Sequence, residues 1–188
     1  MKTWLFNPFK FIAGGKALWL GIGAMLVTAV LCLLTHEHLD GIIDVHVGKQ
    51  VPPFVYFIEP FIDWICLLLP LYVFGRSISI SSTRFIDIAG TSALSRYPVF
   101  FMAVIAMLTP RDMGPPDKLL TLLHNNPALA IKLGIVGLLI VPFIVWAIAL
   151  AYNAYSVSAN LKGSKAVWSF ITSMVIAEIL SKIIISLF

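Results

Sequence analysis

Charge is what this chain has least of: Asp, Glu, Lys and Arg together make up 12% of its 188 residues, against 60% hydrophobic. Soluble domains average about a quarter charged residues, so a water-soluble globule is excluded as the main body of the molecule. Cysteine is equally scarce. Cys32 and Cys66 form no CxxC pair and have no histidine at metal-ligand spacing, which excludes a disulfide scaffold and reads as two buried structural thiols. The usual catalytic signatures are missing as well. There is no GxSxG elbow and no HExxH helix, and Gly14-Gly15-Lys16 lacks the earlier glycine and the following Ser/Thr of a phosphate loop, so it reads as a hinge before a helix. With no buried histidine expected to activate the many hydroxyls, no catalytic residue is assigned and no cofactor is implied. The formal charge of +4 does not indicate nucleic acid, because the basic residues are scattered at the ends of apolar stretches instead of forming one patch. Anionic membrane lipid is the matching partner. A cleaved leader is not expected either: the first apolar run begins late, no A-x-A site follows it, and Cys32 follows Leu31 and not the small residue of a lipoprotein signal.

What is present is long apolar stretches. Five of them approach or exceed the roughly 20 residues that a bilayer crossing requires: Ala17–Leu34, Phe54–Phe74, Phe85–Leu108, Ala128–Tyr152 and Lys165–Leu187. The expected fold is therefore all-α and integral to the membrane, a single five-helix transmembrane domain over residues 1–188 with an N-terminal interfacial segment. The third span is the least regular. Its uninterrupted apolar part, Val99–Leu108, is too short to cross alone, so the span takes in the more polar 86–97 half and bends near Pro98, with a re-entrant element as the alternative. Pro60, Pro70, Pro98 and Pro142 are expected to interrupt the central helices. Thr83 or a neighbouring serine is expected to cap the third span, with Asp87 in its first turn.

Loop charges set the orientation. Lys2, Lys10, Lys16, Arg76, Arg84, Lys162 and Lys165 lie before span one and after spans two and four, with no carboxylate among them. The opposite loops hold Lys49, Arg111 and Lys118 against Glu37, Asp40, Asp44, Asp112 and Asp117. By the positive-inside rule the N-terminus is cytoplasmic and the C-terminus outside. Trp4, Phe6, Phe9 and Phe11, mixed with Lys2, Lys10 and Lys16, make the first residues an anchor in the cytoplasmic interface, and Asp117–His124 an interfacial helix on the outer side.

Ionisable residues inside the spans are the functional candidates, since a charge at the bilayer centre costs on the order of 3 kcal/mol. Glu59 and Asp63 are four residues apart on span two, and Glu178 and Lys182 four apart on span five, so each pair shares a helical face. At ~1.5 Å rise per residue, Asp63 lies about 14 Å and Arg96 of span three about 18 Å below the outer surface. Glu178 falls near the depth of Asp63, and Lys182 near that of Glu59. Three acids and two bases thus gather in one polar cluster, which serves as an interhelical clamp or as a proton- or ion-linked site. The outer loop THEHLDGIIDVH places His36, His38 and His46 with Asp40 and Asp44 in a short window; these histidines are weak metal candidates without a metalloenzyme spacing, and a solvated loop is the competing reading.

Three stretches also resemble a bacterial member of the Yip family, the Ypt/Rab-interacting multispan membrane proteins. They are NPFKFI before span one, TRFIDIAGTSALSRYPVFF (Thr83–Phe101) with its R-x-x-D and R-x-P features, and WAIALAYNAYSVSANLKGSKAVWSFITSMVIAEIL (Trp146–Leu180). The resemblance implies a compact helical membrane domain without enzymatic activity, and a place in the bacterial inner membrane. The family's eukaryotic relatives bind small GTPases through membrane-traffic roles and carry a long cytoplasmic N-terminal region that this sequence lacks. The expected function is a scaffold or adaptor in membrane organisation, its protein partner unnamed and oligomerisation open. The alternative is a small transporter or ion-conducting protein in which Glu59, Asp63 or Glu178 titrates opposite Arg96. Water at the cluster separates the two.

Overall fold

The computed structural model describes residues 2–47, 51–110 and 116–188. Helix α1 (Lys2–Phe6) and a 3-10 turn (Pro8–Lys10) precede α2 (Gly14–Thr35); α3 (Pro53–Ile78), α4 (Phe85–Leu94), α5 (Pro98–Ala106), α6 (Pro116–Asn125), α7 (Pro127–Ser158) and α8 (Gly163–Ile185) follow. Two strands of two residues each, β1 (Glu37–His38) and β2 (His46–Val47), form an antiparallel bridge with His38 opposite His46. Five segments are long and apolar enough to cross a membrane: α2, α3, the 85–106 pair α4–α5, α7 and α8. The chain is an all-α multispan membrane bundle.

Proline stands at the start of four of the α-helices, at Pro53, Pro98, Pro116 and Pro127, where its missing N–H would have had no helical partner anyway. The chain enters α2 through Gly14, whose φ of +59° is a left-handed conformation that a side chain would strain, in keeping with its reading as a hinge. The third span breaks where expected: α4 ends at Leu94, tight turns carry Ser95–Tyr97, and Pro98 starts α5. The other prolines behave differently from expectation. Pro60 and Pro70 lie inside an unbroken α3, and Pro142 inside an unbroken α7. Each removes one backbone donor, but in apolar surroundings no water is at hand to satisfy an unwound turn, so the remaining helical bonds are kept. The cap of α4 is also corrected. Arg84 occupies the N-cap position without a side-chain cap, Thr83 turns back to the Gly75 carbonyl, and Asp87 in the first turn lies 3.8 Å from Arg84.

α2 packs on α4, α3 on α8, and α7 on α4 and α5. The α2–α4 approach depends on glycine: a Cβ at Gly21 would strike the Ala93–Leu94 backbone, and one at Gly90 would strike the Gly14 carbonyl. Leu67 and Leu71 of α3, Ile88 of α4, Tyr155 of α7 and Phe170 of α8 meet in the main core. Both cysteines are buried and free, Cys32 and Cys66 alike.

The N-terminal segment is held down, not trailing. Phe9 is buried against Leu150 and Ala154. Trp146 and Tyr97 both donate to the Leu5 carbonyl, at 2.9 and 3.3 Å, and Asn153 donates to Phe6 O at 2.8 Å. Its other face leaves Trp4, Leu5, Phe6 and Phe11 exposed, with Trp4 and Phe11 stacked, the arrangement of an interfacial anchor. The expected 117–124 helix is present as α6.

Candidate functional site

The ionisable residues of the spans converge on a segment of chain that is not helical. Between α2 and α3, the β1–β2 bridge closes a loop over residues 39–45 that folds back into the bundle. Expected to be a solvated loop, it is largely buried: His38, Leu39, Gly41 and Ile42 are all enclosed. The physical reason lies in what the helices offer it. Non-helical backbone at membrane depth persists only where protein groups satisfy its N–H and C=O groups, each of which costs several kcal/mol if left bare in hydrocarbon.

Glu59 on α3 supplies two such contacts. Its Oε2 accepts from Leu39 N–H at 3.0 Å, and its Oε1 lies 2.7 Å from His38 Nδ1, which carries the shared proton when the carboxylate is ionised. The His38 ring stacks on Tyr56, one turn before Glu59, with centroids 5.0 Å apart. Glu178 on α8 accepts from Ile42 N–H at 2.9 Å, and Arg96 Nη1, in the turn between α4 and α5, donates to Ile42 O at 3.1 Å. The two sides of one peptide-bearing residue are thus held by opposite charges from different spans. Gly41 is what lets the loop come this close, because a Cβ there would lie 2.6 Å from Glu178 Oε1.

Below the loop sits the deepest pair. Arg96 Nη2 donates to Asp63 Oδ2 at 3.0 Å, with Asp63 0% and Arg96 5% exposed, and the buried Ser181 is a further polar neighbour of Asp63. Asp63 is ten residues into α3, about 15 Å along the helix from its first turn. At the mouth, Lys182 gathers acids from the loop and from its own helix: Asp44 at 3.0 Å, Glu178 at 3.6 Å and Asp40 at 3.8 Å. Against Arg96, a cavity bordered by Ile42, Leu67, Ser95, Val99 and Ala151 holds about 10 Å³, the space of roughly one water.

The cluster foreseen from spacing is therefore assembled, but with different partners. Asp63 and Arg96 meet, and Glu178 and Lys182 meet along one helical face. Glu59, expected on one face with Asp63 in the cluster of acids and bases, instead faces His38 and the Leu39 amide. Lys182, expected beside Glu59, instead reaches out to Asp44. Equal depth on a straight helix says nothing of which way a side chain is turned, and the interposed loop decided both. Of the metal candidates, His38 is engaged by Glu59, and His36 ends α2 in a left-handed conformation with its ring tilted against Tyr56. The side chain of His46 lies outside the described residues, as do Lys49, Arg111, Asp112 and the side chains of Asp117 and Lys118. Among the described residues no three His, Cys, Asp or Glu side chains converge in a metal-holding group. His38 is also a buried histidine where none was foreseen, and its ring meets the Glu59 carboxylate and the Tyr56 face.

Sequence reasoning missed Tyr56, Gly41 and the Leu39 and Ile42 backbone, and it placed Asp44 with the histidines of the loop and not with Lys182. A signal existed in the loop, where Leu39-Asp40-Gly41-Ile42-Ile43 puts three large apolar residues around a glycine in a stretch otherwise read as solvated. No protein-family model, curated protein or solved structure matches the chain.

Proposed function

We propose that this chain is a non-enzymatic scaffold or adaptor of the bacterial cytoplasmic membrane, related to the Yip family that its sequence resembles. One observation carries the reading: the five charges inside the spans are turned toward one another and toward the chain's own 38–44 loop, and the cavity beside Arg96 has room for about one water. A transport site needs charged groups that face a hydrated path and exchange partners. Here Glu59, Glu178 and Arg96 hold backbone that would otherwise be bare in the membrane, which accounts for intramembrane charge without a substrate. The clamp ties α3, the turn between α4 and α5, α8 and the loop to one another.

Reconstituted vesicles test this directly. With a pH-sensitive dye inside, imposed proton, sodium and potassium gradients should give the same response as protein-free vesicles. A flux that Asp63→Asn abolishes would overturn the scaffold reading in favour of a small ion-coupled transporter. Isolation of the intact protein from its native membrane should return the same protein neighbours from independent preparations, and a protein that repeatedly comes out alone would also count against it.

A further inference from the structure

At the far end of the bundle from the clamp, α3 and α8 leave an open groove of about 420 Å³ between them, lined by Phe74 and Ile78 on one side and by Ser164, Lys165, Trp168 and Thr172 on the other. Its layout is that of an amphiphile. Lys165 and Ser164 stand at the rim in the first turn of α8, whose leading N–H groups have no side-chain cap. Trp168, Phe74 and Ile78 form an apolar wall beneath them. Thr172 marks its lower reach, nine residues into α8 and about 14 Å along the helix.

The surroundings are basic. Lys165 lines the opening and Lys162, the N-cap of α8, is exposed just before it, and Asp87, beside Arg84, is the one carboxylate among the described residues at this end of the bundle. Trp168 in the groove wall is 68% exposed, a side chain that favours the boundary between headgroups and acyl chains. An acidic peptide would match the rim but would have to bury its polar backbone along the apolar wall. An anionic phospholipid matches both.

We propose that this groove binds one anionic phospholipid, its phosphate at Lys165, Ser164 and the first turn of α8 and an acyl chain along Phe74, Ile78 and Trp168. The site stands apart from the scaffold reading, since it shares no residue with the clamp and would hold equally in a transporter.

Trp168 supplies its own probe. The full chain is placed in vesicles containing phosphatidylglycerol or phosphatidylcholine with brominated acyl chains, and the quenching of Trp168 is isolated by subtracting the Trp168→Phe variant. Phosphatidylglycerol should quench Trp168 with an apparent affinity about fivefold above phosphatidylcholine, the preference that one lysine near an anionic surface confers. Rising salt should shrink that preference. Lys165→Gln should bring the ratio close to one and Lys165→Arg should keep it, with unchanged thermal unfolding because Lys165 is exposed. Equal quenching by the two lipids in the unmodified protein overturns the site and leaves ordinary boundary lipid or a protein segment as the occupant. A preference that survives Lys165→Gln overturns it as well.

Discussion

Single residues in the clamp differ sharply in what they contribute, and burial decides the order. Arg96 neutralises a carboxylate with no exposure to solvent, so Arg96→Leu leaves Asp63 as an uncompensated buried charge and should destabilise by about 3–5 kcal/mol. Adding Asp63→Asn to that variant should restore part of the loss, because the orphaned charge is gone while the bond to Ile42 O is still missing. A double-mutant cycle on thermal unfolding in detergent measures this, and strictly additive losses would exclude the clamp. Lys182 makes more ionic contacts, yet both it and Asp44 are nearly half exposed, so Lys182→Met should cost under about 1 kcal/mol and the effect should fade with salt. Gly41 has no charge at all and matters more than Lys182. Gly41→Ala drives a methyl group into Glu178 and should cost about 1–3 kcal/mol, read in the same unfolding assay, whereas Asp40→Ala next to it should be milder.

Among the elements, the third span owes its position to glycine. α4 can press its backbone onto α2 only because Gly21 and Gly90 lack side chains at the crossing. Gly90→Leu should force the two helices apart and lower the unfolding temperature more than the same change at Gly134 on α7, where a Cβ would meet nothing within 4 Å. Equal effects at the two sites would show that the α2–α4 contact is not limiting. The positions of the long helices could be read from hydropathy to within a few residues, since a run of apolar side chains in lipid has no alternative to internal hydrogen bonding. Their ends were less legible. α7 runs on to Ser158, past the expected Tyr152, because Ala154 and Tyr155 are packed in protein contacts that a hydropathy window does not register. The 39–45 loop escaped altogether: its burial depends on carboxylates 20 and 136 residues away in sequence.

For the molecule as a whole, an odd number of spans would put the two termini on opposite sides, and the positive-inside rule predicts a cytoplasmic N-terminus. Single cysteines introduced at Ser81 and at Ser186 in a chain freed of Cys32 and Cys66 test this. A membrane-impermeant maleimide should label Ser186→Cys from outside intact cells and Ser81→Cys only after the membrane is opened. The reverse pattern would invert the bundle, moving the loop clamp to the cytoplasmic side and the lysine-rimmed groove to the outer one.

The sequence by itself determined that this is a multispan helical membrane protein, which segments cross, and which five ionisable residues are too costly to be incidental. Hydropathy and spacing suffice for that because both act along one helix at a time. Only the tertiary structure decided what those five residues face. Pairing Asp63 with Arg96, turning Glu59 to His38, and setting Glu178 and Arg96 on the two sides of Ile42 all require helices and loop to be placed together, so the same charges that spacing offered as a candidate ion site are, in the folded chain, the groups that keep a non-helical loop inside the bundle.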